Sequence, residues 1–104
     1  MIALGCDHGG YELKEAIKKY LDKQGVAYKD FGTNSMESVD YPEYAEAVAN
    51  SVASKEAEKG ILVCGTGVGM SIAANKIPGI RAALISDCFS AKATREHNDS
   101  NILC

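Results

Sequence analysis

The stretch 60–76, GILVCGTGVGMSIAANK, constrains this chain more than any other: Ile61, Leu62 and Val63 lead without a break into Cys64, and glycines follow at 65, 67 and 69. An apolar run of strand length that passes through a glycine turn into a helix is a βα corner, the unit from which parallel sheets are built. A strand stopping at Cys64 and a helix starting near Val68 leave the turn amides outside the helix ladder and aimed at one spot, where an anion can sit. Glycine keeps side chains out of the way of a ligand approaching that backbone.

The rest of the chain alternates in the same way. Residues 2–6 form a short apolar run ending in DHGG, and Leu13, Ala16, Ile17, Tyr20 and Leu21 recur at intervals of three and four, the mark of one helix face. Gln24 and Gly25 close that helix, and 26–31 alternates as a second strand before the turn-rich GTNSMES segment. Pro42 suits the first turn of a second helix with Tyr41, Ala45, Val48 and Val52 on its buried side. Beyond the strand 61–64, a helix of about two turns must stop before Pro78. Residues 80–85 read as a fourth strand, Asp87 as the N-cap of a helix carrying Phe89, Ala93 and His97, and 101–104 as a fifth strand.

The order β-α-β-α-β-α-β-α-β predicts a doubly wound, Rossmann- or flavodoxin-like α/β fold: three layers, α/β/α, around a parallel five-stranded sheet. Ligands of such sheets collect beyond the carboxyl ends of the strands, where strand order reverses. Here the ends of the first and third strands carry Asp7, His8, Cys64 and the glycine turn.

At 104 residues the chain supports one core and one domain. A net charge of −3, with Lys18–Lys19 as the sole adjacent basic pair, gives no general attraction to nucleic acid. The cysteines at 6, 64, 88 and 104 show no CxxC pair and no zinc-ligand spacing, so free thiols in a reducing compartment are expected. MIALGC lacks the charged leader and apolar core of an export signal, and no segment is long enough to span a membrane, so a cytoplasmic protein is expected.

The glycine turn departs from a dinucleotide fingerprint at Met70, and the lysine and hydroxyl of a P-loop are absent. It remains either an anion cradle or a tight βα connection. Cys64 stands before a helix N-terminus, whose partial positive charge favours thiolate, the form that accepts a proton; the alternative is a small buried hydrophobe, the reading given to Cys6, Cys88 and Cys104. His8 and His97, the chain's two histidines, stand at element ends and can move a proton or hold a phosphate. Asp7 either orients a histidine, bonds a sugar hydroxyl or caps the first helix. Tyr41 either closes a pocket or packs, and Thr66 puts a hydroxyl beside Cys64. With no tryptophan and no evident aromatic pair, flavin binding is disfavoured.

The motifs GCDHGG, DFGTNS…DYPEYA, ILVCGTGVGMSIAANKIPGIRAAL and SAKATREHNDSNIL together resemble type B ribose-5-phosphate isomerase and the related galactose-6-phosphate isomerase subunits, over essentially the whole chain. The resemblance implies an aldose–ketose isomerase of carbohydrate metabolism, in the pentose phosphate pathway, working through an enediolate with neither a metal nor an organic cofactor. Carried onto matching positions, Cys64 would be the base, with the N–H groups of Gly65, Gly67, Val68 and Gly69 an anion hole. Thr66 and His97 would assist ring opening, Asp7 and Asn98 hold hydroxyls, His8 contribute to the phosphate site and Tyr41 line the pocket. A homodimer or homotetramer is implied, with sites shared between subunits and His97 and Asn98 reaching the neighbour's pocket. Family members continue past the position of Cys104 into a helical segment whose arginines bind the phosphate, so residues 1–104 are expected to be a single isomerase domain lacking that segment. Only Arg81 and Arg95 are present here. The alternatives are a galactose or allose 6-phosphate isomerase, or a noncatalytic module that binds a sugar phosphate.

Overall fold

The computed structural model describes Met1–Cys104 in full. The chain runs β1 (Ile2–Cys6), a single 3-10 turn (His8–Gly10), α1 (Tyr11–Gln24), β2 (Tyr28–Asp30), α2 (Tyr41–Ala53), β3 (Lys59–Val63), α3 (Val68–Asn75), β4 (Ala82–Ala83), α4 (Cys88–Asn98) and β5 (Ile102–Leu103). The five strands form one parallel sheet in the order β2-β1-β3-β5-β4. β1 leads to β2 on one side and, one crossover later, to β3 on the other, so strand order reverses between β1 and β3. This is the expected doubly wound fold.

Residues alternate between the two faces of the sheet. Ala3 and Leu62 join Ala45, Val48, Ala49 and Val52 of α2 and Met70 and Ala74 of α3 in the main core. On the opposite face α1 and α4 flank a groove over β3 and β5 walled by Leu13, Ile17, Ile61, Val63, Ala91 and Leu103. That face is packed more sparsely. Leu13 is 57% exposed, Ala16 and Tyr20 are also exposed, and of the apolar stripe expected to bury α1 only Leu21 is buried. α4 has no buried residue and its Phe89 is 81% exposed.

Element ends follow local chemistry. Gly25 adopts the left-handed conformation after α1, and the Val26 amide reaches back to the Leu21 carbonyl (2.9 Å). That bond uses Val26 to end the helix, so β2 starts later than expected and covers Tyr28–Asp30. β4 is assigned to two residues of the expected 80–85, although its pairing continues through the Ile85 amide to the Cys104 carbonyl (2.9 Å). β5 likewise covers Ile102–Leu103, two residues of the expected 101–104. Pro42 sits in the first turn of α2 and Asp87 caps α4, its carboxylate accepting the Ser90 amide (2.7 Å).

Candidate active site

Two turns meet above the reversal point. Asp7, just past β1, donates its amide to the Val63 carbonyl (3.2 Å), and its carboxylate accepts the Gly10 amide (3.1 Å). Asp7 thus caps the 3-10 turn His8–Gly10 rather than α1, which starts after Gly10 with no side-chain cap. Gly10 lies so close to β3 that a Cβ there would fall 2.2 Å from the Val63 carbonyl oxygen, and a Cβ on Gly9 would fall 3.4 Å from the Gly65 amide nitrogen. No side chain larger than hydrogen fits at Gly10.

Cys64 lies one residue beyond β3 rather than inside it, half-buried, with Sγ accepting the Gly67 amide at 3.0 Å. Cys64 borders an open cavity of about 420 Å³ together with Gly65, Thr66 and Gly67 and also packs against the main core, so the residue is not sealed inside it. Cys88 and Cys104 border the same cavity. The Cys104 thiol is pushed up to about 12, mainly by burial and further by Cys64; burial likewise raises Cys6, against the opposing pull of Lys14. Most of this cavity's wall is the apolar groove between α1 and α4. A polar ligand fits the backbone turn at its mouth better than the groove behind it.

The turn is less uniform than a row of free amides. Gly67 is committed to Cys64 Sγ and Val68 donates to Thr66 Oγ1 (3.2 Å). The amides of Gly65, Thr66, Gly69 and Met70 have no acceptor in the protein. α3 starts here, so its positive end adds to their pull on an anion.

Tyr41 was expected on the buried side of α2 and is instead 39% exposed. Its ring covers Gly69: a Cβ there would lie 2.8 Å from a ring carbon. Tyr41 is thereby brought to the glycine turn. His8 turns the other way, its Nδ1 accepting the Val39 amide (3.3 Å), which places the ring proton of the neutral imidazole on Nε2. Asp7, Tyr41 and residues 64–69 thus form one cluster at the carboxyl ends of β1 and β3, and His8, next to Asp7 in the chain, is tied through the Val39 amide to the stretch that carries Tyr41.

His97 and Asn98 do not join it. α4 begins at the cavity with Asp87, Cys88 and Ala91, while His97 is exposed in its last turn, about 14 Å further along the helix axis. The Asn98 carbonyl accepts Arg81 Nε (2.7 Å), and the residue lines a separate polar cavity with Asn75, Arg81, Thr94 and Ser100. Within one chain the two are remote from Cys64.

Residues 2–104 match the family model described as Ribose/Galactose Isomerase. The chain belongs to that family of isomerases. Within the ribose/galactose isomerase family it is 55% identical to ribose-5-phosphate isomerase B of Escherichia coli over 102 residues, 98% of this chain and 68% of that protein. The structure of Clostridium thermocellum ribose-5-phosphate isomerase B superposes with a TM-score of 0.97 at 55% identity, covering 98% of this chain and 69% of that one. That of Mycoplasma genitalium ribose-5-phosphate isomerase B with bound ribulose-5-phosphate gives 0.94 at 39% identity, covering 99% and 69%.

One residue beside the cluster escapes sequence reasoning. Lys14, wholly buried, donates to both carboxylate oxygens of Asp30 (2.8 Å each) and to the Thr33 carbonyl. A lysine beside an apolar helical stripe reads as solvent-facing; the signal that could have found it is its seven-residue spacing from buried Leu21.

Proposed function

We propose that this chain is an aldose–ketose isomerase that interconverts ribose 5-phosphate and ribulose 5-phosphate, with Cys64 as the general base. One observation carries the reading: a cysteine sulfur that accepts a backbone N–H stands beside unpaired amides, at the reversal point of the sheet. The nearest chemistry this suits is proton removal from a carbon next to a carbonyl. With the sugar open, Cys64 takes the C2 proton of the aldose, negative charge moves to O1, and the free amides of the turn hold it. A proton then passes from O2 to O1 so that the charge stands on O2, and as that charge collapses into the C2 carbonyl the same sulfur returns its proton to C1, giving the ketose.

Thr66 keeps its hydroxyl proton available while Oγ1 accepts the Val68 amide, which suits a donor during ring opening. In this reading Asp7 holds a sugar hydroxyl, Tyr41 lines the pocket and His8 contributes to the phosphate site. His97 and Asn98 stand too far from Cys64 to serve it within one chain, which supports a homodimer in which they complete the neighbour's site. The pentose is favoured over a hexose 6-phosphate by relatives named ribose-5-phosphate isomerase B, one of them with ribulose-5-phosphate bound.

Cys64→Ala is expected to lower exchange of the substrate C2 proton with solvent by at least about a hundredfold. Calorimetric binding of ribose 5-phosphate should stay within a few-fold of wild type. Exchange at the wild-type rate would remove Cys64 from the mechanism. A second reading, binding without turnover, is favoured by the engagement of both arginines: Arg81 with the Asn98 carbonyl, Arg95 with Asp99 and the Ser100 carbonyl. Binding by the wild-type protein with no isomerisation would select it.

A further inference from the structure

We infer that Lys14 is a positioning residue for the substrate pocket, its buried ammonium fastening the start of the 33–40 segment so that His8 and Tyr41 are held in place. The inference rests on the isomerase reading for its kinetic consequence, though the clamp itself is geometry.

The ammonium has three N–H donors and they have three acceptors: Asp30 Oδ1, Asp30 Oδ2 and the Thr33 carbonyl. Asp30 is held in turn by Lys18 at Oδ2 (3.0 Å) and by the Gly32 amide at Oδ1 (2.8 Å). Thr33 is pinned on further sides. Its amide donates to the Cys6 carbonyl (2.8 Å), and its own carbonyl also receives the Cys6 thiol (3.7 Å). Cys6 is the last residue of β1, directly before Asp7 and His8.

From Thr33 the chain crosses exposed residues 34–38 without regular structure and comes back at Val39, whose amide is received by His8. Two residues later stands Tyr41, laid over Gly69. The segment is therefore fastened at its beginning by Lys14 and at its end by His8, and both pocket residues depend on where it lies. A buried ion pair gives little net stability compared with apolar side chains of the same volume. What this pair supplies is direction: it sets where the Thr33 carbonyl sits.

The test is a pair of variants of the purified protein, Lys14→Met and Lys14→Met/Asp30→Asn. The second leaves no buried carboxylate without its ammonium and keeps an acceptor for the Gly32 amide. Two readouts are taken: amide exchange across the chain, which needs no substrate, and KM and kcat with ribose 5-phosphate. The Val39 amide is expected to exchange about tenfold faster while the amides of β1 and β3 keep their protection. KM should rise about fivefold or more with kcat within about threefold of wild type.

Unchanged Val39 exchange in a folded variant overturns the clamp. Faster exchange with unchanged KM, or loss of kcat in proportion to protection lost throughout the sheet, overturns the positioning role. If the wild-type protein does not isomerise ribose 5-phosphate, the isomerase reading fails by itself and Val39 exchange alone decides the clamp.

Discussion

At Gly69 the place of a side chain is taken by the Tyr41 ring, and at Gly10 by the Val63 carbonyl. The two glycines look equivalent in sequence and are not equivalent in what must yield. The Tyr41 ring is the end of a half-exposed side chain and can swing outward, so Gly69→Ala should leave the urea midpoint nearly unchanged while KM for the sugar phosphate rises several-fold. At Gly10 the obstacle is backbone belonging to β3, and Gly10→Ala should cost about 3 kcal/mol of stability, read from the same urea titration. A midpoint shift of equal size in both variants would contradict the distinction. The position of Cys64 at a βα corner was legible because apolar run, thiol and glycines follow one another directly. The engagement of the Gly67 and Val68 amides was not, since the acceptors are atoms of the same turn and their directions depend on its conformation.

At the scale of elements, α4 is the weakest-held helix: its start is fixed by Asp87 and its end by the Arg95 and Thr94 contacts with Ser100, with no buried residue between. Hydrogen bonds from the Ser90 amide and hydroxyl keep the Asp87 carboxyl below the usual range. Asp87→Ala should therefore fray the first turn of α4, with severalfold faster exchange of the Ser90 amide and no change in β1 or β3. Both caps of this kind, Gly25 after α1 and Asp87 before α4, were readable because they act through residues a few positions away. The burial of α1 was not. Its apolar stripe predicts which side faces the sheet but not whether that face is covered, and here Leu13 borders an open groove while the charged Lys14 goes inside. What decides is Asp30, which lies beyond the helix and which periodicity cannot see.

For the whole molecule, the reversal of strand order between β1 and β3 explains why the clustered candidates gather at one end of the sheet. That convergence was legible from the alternation of elements, whereas the place of β5 between β3 and β4 rests on long-range pairing. The distance of His97 and Asn98 from Cys64 belongs with it, since it follows from the course of α4 across the sheet. The Lys14–Asp30 pair also links fold stability to acidity. Burial pushes the Asp30 carboxyl up, but hydrogen bonds from Lys14, the Gly32 amide and Lys18 outweigh this and leave it below the ordinary carboxylate value. A carboxyl lowered in the folded state stabilises at pH above its unfolded value, about 3.9, and that contribution disappears as pH falls through the folded value. The melting temperature should accordingly drop below about pH 4, and Asp30→Asn should be less stable at neutral pH with a flatter acid profile. A parallel profile in that variant would assign acid sensitivity elsewhere.

The Val63 peptide receives the Asp7 amide and bears directly on Gly10, so the corners after β1 and β3 share a single seam. Parting that seam would unmake the sheet end itself. Residues 34–38 are exposed and carry no backbone hydrogen bond to either corner, so a change of shape at this end of the sheet meets least resistance there. Substitutions along 34–38 are therefore expected to leave both corners where they are.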